Sequence, residues 1–247
     1  MRANYYDFLC TKMYEILHAK APKDELDFYL SYAKKEEKIL ELMCGSGRFL
    51  LPFVEQGFDI SGVDNSASML EKLKEKTPNA KITKCDILDF KSDESFDYIF
   101  ISSGSLCLIT DINECKRLLR NLKSFLKKDG KLVFALDTIM TRYKDDNDYK
   151  ISVKVKTEQN FDLILKNKNH YDEFSKTQFS PSIYELYDKD KLLQSEKMDF
   201  KIHLYDLKEI KNILKELEFE RFFIYSSFDK KIAKDDKSEM FLCECIK

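Results

Sequence analysis

ILELMCGSGRFLLPFVEQGFDISGVD, residues Ile39 to Asp64, reads as four pieces in succession. Ile39–Met43 is a short apolar strand, Cys44–Gly47 a glycine-containing turn, the next stretch a helix, and Asp59–Asp64 a second strand ending on an acid. A glycine turn after a parallel strand lets a ligand approach bare backbone, and the helix that follows offers free N–H groups. Asp64 comes 17 residues after Gly47, where a βαβ unit brings the end of its second strand beside the end of its first. A carboxylate there suits the two hydroxyls of a ribose, so the stretch predicts a nucleoside-containing cofactor. The dinucleotide fingerprint G-x-G-x-x-G is incomplete: Gly45 and Gly47 are followed by Leu50. An acid, Glu41, lies on the first strand four residues before Gly45.

With that acid in place, ILELMCGSGR resembles the glycine-rich motif E/D-x-G-x-G-x-G of class I S-adenosylmethionine (SAM)-dependent methyltransferases. In that family the loop backbone packs on the methionine part of SAM, the acid of the second strand binds the ribose, and a later acid binds the adenine amino group. Here the later acid is Asp86, in the run Cys85-Asp86-Ile87 after a third strand at about Ala80–Cys85, where it could equally cap a helix. The resemblance implies SAM as cofactor, S-adenosylhomocysteine as product, and a contact surface in several segments. These are Glu41, Met43, Cys44, Gly45, Ser46, Gly47 and Arg48; Asp64, Asn65 and Met69; Cys85, Asp86 and Ile87; and Ser102, Ser103 and Gly104. The one departure is Met43 at the first glycine position, which is expected to pack under the loop and tolerate the larger side chain. The competing reading is an ordinary βα turn whose glycines serve geometry only; Glu41, Asp64 and Asp86 together favour the cofactor site.

Composition narrows the function classes. The chain has 247 residues, 43% hydrophobic and 35% charged, with a formal net charge of −2. Mean hydropathy is −0.45 and the isoelectric point is about 6.0. Lysines alternate with acids, as in 34–38 and 230–237, so no face reads as a phosphate-tracking stripe, and neither nucleic acid nor an anionic membrane is the expected partner. Seven cysteines form no C-x-x-C pair and sit largely in apolar runs, which reads as reduced thiols in the cytoplasm. The three histidines are scattered without ligand spacing, so no metal is expected. MRANYYDFLC lacks the apolar region of a signal peptide.

Around the motif, the chain falls into three parts. Residues 1–36 read as an N-terminal helical lid: a helix from Tyr5 to Leu17, a break at Pro22, and a second helix from Asp24 to about Lys35. In the resembling family a tyrosine-rich N-terminal helix closes over SAM and substrate, and Tyr14 is the candidate contact. Residues 37–140 and 205–247 read as the SAM-binding core, with further strands at Phe96–Ser102 and Lys131–Asp137, helices starting at Ser66, Asp111 and Asp206, and a closing pair of strands. Residues 141–204 change texture: KISVKVKT, FDLILKNK, SIYELYDK and KMDFKIHLY alternate, which predicts an antiparallel insert after the fifth strand. The fold class is therefore α/β: a doubly wound, Rossmann-like, mostly parallel seven-stranded sheet with an antiparallel β insertion and a helical lid. The insert is similar to that of small-molecule methyltransferases of the amino-sugar and glycine/sarcosine N-methyltransferase type, where it roofs the active site.

The chemistry follows from SAM itself. A sulfonium carries an activated methyl group, so the protein's task is to align acceptor, methyl and sulfur in a dry pocket. A base is needed only for an acceptor atom that starts protonated; His170, His203, Tyr171 and Tyr205 lie in or beside the insert and are the candidates. The expected function is methyl transfer to a small-molecule acceptor, nitrogen foremost and oxygen the alternative, by a monomer or homodimer. The Ser102–Ser105 loop stands where nucleobase-amine methyltransferases carry Asn/Asp-Pro-Pro-aromatic. The aromatics Phe161, Tyr171, Phe174, Phe179, Tyr184 and Tyr187 are expected in part to line the acceptor pocket, with a dimer interface as the other use of that sheet face. An RNA or protein methyltransferase would bring a basic face or a recognition module. A nicotinamide oxidoreductase would need the third glycine. A non-catalytic SAM-binding protein would keep the same cofactor residues.

Overall fold

A computed structural model describes residues 6–247; Tyr5 and the start of MRANYYDFLC lie outside the described residues. Six helices and fourteen strands follow in order: α1 (Phe8–His18), α2 (Lys23–Leu30), β1 (Lys38–Leu42), α3 (Leu50–Glu55), β2 (Asp59–Asp64), α4 (Ala67–Lys76), β3 (Lys81–Lys84), β4 (Phe96–Ile101), α5 (Ile112–Phe125) and β5 (Leu126–Asp137). Then come β6 (Lys150–Lys156), β7 (Asp162–Asn167), β8 (His170–Asp172), β9 (Thr177–Phe179), β10 (Ser182–Asp188), β11 (Lys191–Met198), β12 (Lys201–His203), α6 (Leu207–Glu216), β13 (Arg221–Tyr225) and β14 (Met240–Ile246).

The main sheet has the order β13-β14-β5-β4-β1-β2-β3. β1 to β5 run parallel and β14 runs antiparallel between β5 and β13. The chain winds outward from β1 through β2 to β3, then crosses back to β4 on the other side of β1. That reversal opens a crevice at the carboxyl ends of β1 and β4, the usual ligand position in an open α/β sheet. Both sheet faces are covered. α5 and α6 lay Leu118, Leu119, Leu122, Ile210, Ile213 and Leu214 on one face. α2, α3 and α4 cover the other with Phe28, Tyr29, Phe53, Leu70 and Leu73, and Tyr29, Phe53 and Tyr98 stack on Phe100. Cys243 and Cys245 share the α5/α6 face of β14, fully buried as free thiols.

Gly62, in the middle of β2, shows how the motif is packed. A Cβ there would lie 2.6 Å from Leu50 Cδ1 and 2.7 Å from Cys44 Sγ. Absence of a side chain thus lets the turn and α3 settle on the second strand. Gly62→Ala should cost about 2 kcal/mol, in the range of core overpacking. A urea titration would show this as a lower midpoint at unchanged slope. A midpoint equal to wild type would mean that Leu50 repacks freely.

Element boundaries differ from the sequence expectation where side chains compete with periodicity. The second helix stops at Leu30 rather than near Lys35, and the helix after the motif is only Leu50–Glu55, with Gly57 in the left-handed region (φ +77°) just beyond it. The helix from Asp111 ends at Phe125, four residues before Asp129, because Leu126 is already extended and pairs with Phe96. Asp206 accepts the Glu209 N–H at 2.8 Å, but the Glu209 carboxylate does not reach back. It is drawn instead to His203 Nε2 at 3.1 Å and Lys176 Nζ at 3.1 Å, so only half of a capping box forms.

The insert is two small antiparallel sheets, β11-β10-β7-β6 and β12-β9-β8. KMDFKIHLY is not one strand: it spans the end of β11 and all of β12, broken at Asp199-Phe200. The inner face of the larger sheet packs Leu163, Tyr184, Leu186 and Met198 against Leu9, Cys10 and Met13 of α1. Glu196 of β11 accepts the N–H groups of Leu9 (2.7 Å) and Cys10 (3.3 Å), capping a helix whose own N-cap residue, Asp7, makes no side-chain cap. The anionic carboxylate at those first N–H groups also complements the helix dipole. The insert therefore holds the lid helix in place.

Candidate functional site

The crevice contains a cavity of about 300 Å³, at the small end of the range for small-molecule sites. Its lining includes Tyr6 and Tyr14 from the lid, Met43 and Gly45 after β1, Asp64 and Asn65 after β2, Met69 of α4, and Asp86 and Ile87 after β3. Ser105, Leu108, Thr110, Asp111 and Glu114 close it from the β4–α5 connection, and Lys201 of β12 is the insert's contribution. Tyr14 and the motif segments after β1, β2 and β3 thus meet at one place.

Asp64 organises the floor. Its Oδ2 accepts the Gly45 N–H and its Oδ1 the Ser66 N–H, both at 2.8 Å. Burial raises its pKa, while these N–H groups pull it back down. Each oxygen keeps a lone pair, which suits two vicinal hydroxyl donors. Ser66 accepts the Met69 N–H at 3.1 Å and so caps α4, and its hydroxyl donates to the Tyr6 carbonyl at 2.6 Å, tying the lid to the same corner. Asp86 accepts the Leu88 N–H at 3.0 Å while lining the cavity; no helix starts there, so it closes a turn rather than capping a helix.

Met43 packs against the core and also lines the cavity, and it holds φ at +56°. Left-handed backbone costs a side-chain-bearing residue about 1–2 kcal/mol. That is the physical reason a glycine suits this position, and here a methionine occupies it.

Other motif residues stand behind the cavity wall. Glu41 is 1% exposed; its Oε1 accepts from Ser102 Oγ at 3.3 Å and its Oε2 has no hydrogen-bond partner. Burial holds its carboxyl well above the usual range. Cys44 faces Gly62, and Gly47 approaches Leu73. Ser46 donates to Glu15 of α1, which pairs with Lys76 of α4 at 2.6 Å. Arg48 lies 3.5 Å from Glu25 and 3.3 Å from Ser103 Oγ. Cys85 donates its N–H to the Asp64 carbonyl. Ser103 and Gly104 both have left-handed backbone (φ +53° and +69°), and Glu25 accepts the Ser103 N–H at 2.9 Å and its hydroxyl at 3.0 Å.

Two residues at this end of the sheet were not singled out from the sequence. Glu25 arrives from α2, and no local signal ties it to a loop 78 residues away. Asp137 closes β5 in the same way that Asp64 closes β2, so its position at a strand's carboxyl end was a usable signal. Burial first and Glu25 second push its carboxyl up to about 6.

The four base candidates stand elsewhere, and none lines the cavity. His170 is exposed and pairs with Asp145 at 2.9 Å, and Tyr171 lies under Arg142. His203 and Tyr205 are buried against each other, with Glu209 on the histidine and the Cys115 thiol on the tyrosine hydroxyl. The insert aromatics do not line it either. Phe174 is 99% exposed, Phe179 is partly exposed, and Phe161 and Tyr184 pack toward α1.

The electrostatics select among ligands. Glu41, Asp64, Asp86, Asp111 and Glu114 lie in or just behind the wall, and Lys201 is the one basic residue in the lining. A pyrophosphate dianion would meet this field unfavourably. The lining suits a ligand that brings hydroxyl donors and positive charge better than a polyphosphate.

Residues 39–130 match the family model described as "Methyltransferase domain". A methyltransferase of Alkaliphilus oremlandii is 29% identical over 143 residues, covering 57% of this chain and 63% of its own. A ubiquinone/menaquinone biosynthesis C-methyltransferase of Campylobacter jejuni is 32% identical over 110 residues, covering 41% and 45%. The chain spans between about half and just under two thirds of the length of the first curated relatives it matches. Among solved structures, an S-adenosylmethionine-dependent methyltransferase from Clostridium acetobutylicum superposes with a TM-score of 0.76 at 16% identity, covering 95% and 96% of the two chains. A sugar N-methyltransferase from Streptoalloteichus superposes at 0.74 with 17% identity, covering 99% and 93%. Coverages this high take in insert and lid, so the likeness of fold extends over nearly all of the described residues.

Proposed function

We propose that this chain, with the class I methyltransferase fold and a methyltransferase domain at residues 39–130, is a SAM-dependent methyltransferase acting on a small molecule. The observation that carries the proposal is the Asp64 corner. A buried carboxylate anchors the glycine turn and the start of α4, and still offers both oxygens to a cavity sized for one nucleoside. Asp64 would hold the ribose and Asp86 the adenine amino group. The backbone around Gly45, with Glu41 behind it, would hold the methionine part, and Tyr14 would close over it. When bound, SAM supplies an activated methyl group on a sulfonium.

The chain's own residues do the rest. Tyr6 and Tyr14 exclude water, held there by the Ser66–Tyr6 and Glu15–Lys76 contacts. The acidic wall favours the positively charged SAM, whereas S-adenosylhomocysteine lacks the sulfonium charge, which aids product release. Nitrogen is the acceptor atom we favour. Relatives in sequence include a C-methyltransferase, and relatives in fold include sugar N-methyltransferases; the acidic surroundings suit a nitrogen that arrives as a cation. The protein is read as a cytoplasmic enzyme without nucleic-acid substrates; among the described residues no helix is long and apolar enough to cross a membrane.

Calorimetry with SAM, S-adenosylhomocysteine and NAD should show binding of the first two only. Methyl-labelled SAM incubated with the protein and a cell extract should yield a labelled small molecule. Binding without any labelled product would make the chain a SAM-binding protein rather than an enzyme. RNA or DNA binding that persists at physiological salt and steepens as salt falls would overturn the small-molecule assignment.

A further inference from the structure

The nucleoside reading uses the β1–β2–β3 end of the crevice and leaves the β4–β5 end unassigned. With ribose at Asp64 and adenine toward β3, the methyl group faces β4, and an acceptor must approach from the β4–β5 side. There Asp137 ends β5, outside the lining of the 300 Å³ cavity but against Gly104, whose neighbour Ser105 lines it. Its backbone is fully engaged: the N–H donates to Cys107 Sγ at 3.1 Å and the carbonyl accepts from the Tyr205 N–H at 3.0 Å. Its carboxylate, by contrast, receives no hydrogen bond and no ion pair from any described residue. The carboxylate lies against Gly104, where a Cβ would stand 2.9 Å from Oδ2 and 3.1 Å from Oδ1. Glu25 is the ionisable group whose charge bears on it, and Cys107 lies against its backbone. Glu25 shares its α2 helix-to-loop contact with Arg48, and Cys107 is held as a neutral thiol by burial. A half-buried carboxylate without a donor, beside a second acid and packed against the backbone of Gly104, is an arrangement that stability alone does not favour.

We propose that Asp137 is a catalytic residue that receives the acceptor as an ammonium ion and takes its proton, so that the acceptor is an aliphatic amine. This rests on the methyl-transfer reading. In the step, one N–H proton of the ammonium passes to a carboxylate oxygen of Asp137, and its bonding pair becomes the nitrogen lone pair. That pair forms the new bond to the methyl carbon as the carbon–sulfur bond breaks, with the breaking pair kept by the sulfur of the resulting thioether. The product leaves as an N-methylammonium ion, and Asp137 releases its proton to water. A carboxyl near 6 suits this work. An alkylammonium with a pKa near 10 is only about four powers of ten less acidic, whereas a hydroxyl with the pKa of water, about 16, is nearly ten powers away. The carboxylate can therefore free an amine but not an alcohol.

The experiment uses the full chain, methyl-labelled SAM and a cell extract in two arms, one native and one with its amines acetylated by acetic anhydride. Label should appear in the native arm and fall at least tenfold in the acetylated arm. Equal label in both arms overturns the amine assignment and leaves methyl transfer standing; no label in either overturns methyl transfer itself. With the most strongly labelled amine as substrate, wild-type kcat/KM should rise with pH through about 6, as Asp137 ionises. Asp137→Asn should lower kcat/KM at pH 7 by about 100-fold or more, the usual scale for proton transfer to a positioned group. Its S-adenosylhomocysteine affinity should stay within about threefold of wild type, which also reports that the variant folds. Its residual rate should climb instead with the ionisation of the free amine. A wild-type profile without the inflection near pH 6, or a variant within about threefold of wild type, overturns the role of Asp137.

Discussion

Asp64→Ala should weaken S-adenosylhomocysteine binding by about 3 kcal/mol, roughly 150-fold, as two charge-assisted hydrogen bonds to the ribose are lost. The structure adds a second cost, because the same carboxylate accepts the Gly45 and Ser66 N–H groups and so shapes the turn that the methionine part would meet. Asp64→Asn separates the two contributions. An amide keeps one acceptor oxygen, but its NH₂ must then face a backbone N–H, donor against donor. Asn should therefore bind nearly as poorly as Ala, although it is closer in shape. Calorimetric affinity within about threefold of wild type in either variant would remove Asp64 from the ribose site. Asp86→Ala, which leaves the Gly45 turn untouched but removes the acceptor of the Leu88 N–H, serves as the comparison for a loss at the adenine end.

Asp137→Asn should make the protein more stable at neutral pH even as it impairs transfer. The folded pKa is raised from 3.8 to about 6, so the folded state binds the proton more tightly than the unfolded state does. Stability attributable to this group is then fully present below pH 4 and is lost as pH rises through about 6. The shift of about two units corresponds to no more than about 3 kcal/mol at pH 7. The amide carries no charge to desolvate and does not repel Glu25, so the variant should escape most of this loss. Urea titrations at pH 4.5 and pH 7.5 should show the two proteins closest at the lower pH and the variant ahead at the higher. Equal stability at both pH values would mean that Asp137 is well solvated, and its elevated pKa would have no structural basis. A gain in stability on removing a charged group also fits a site maintained for function.

Lid and insert illustrate the limits of pattern. Alternation along 150–205 announced antiparallel strands, because half-buried strands leave that mark whichever neighbours they have. It did not say which face meets which partner. The insert's apolar residues are spent on Leu9, Cys10 and Met13 of the lid, and the residue it sends to the cavity is Lys201. Glu196 capping α1 spans 187 residues of sequence, so no local window contains both donor and acceptor.

By itself, the sequence determined the parallel strands, the glycine turn, and the places of Asp64 and Asp86 at strand ends, because those follow from neighbouring residues within successive βαβ units. Period and turn chemistry act over a few residues and are written in the order of the chain. Only the tertiary structure decided that Met43 takes left-handed backbone, that Glu41 keeps one oxygen unpartnered, and that Glu25 reaches across from α2 to hold the β4 loop. It also decided that the Asp137 carboxylate is half buried beside Glu25 and Gly104, with no hydrogen-bond donor among the described residues. Burial and hydrogen-bond satisfaction are properties of what surrounds a side chain, and those surroundings come from segments the chain brings together only when it folds.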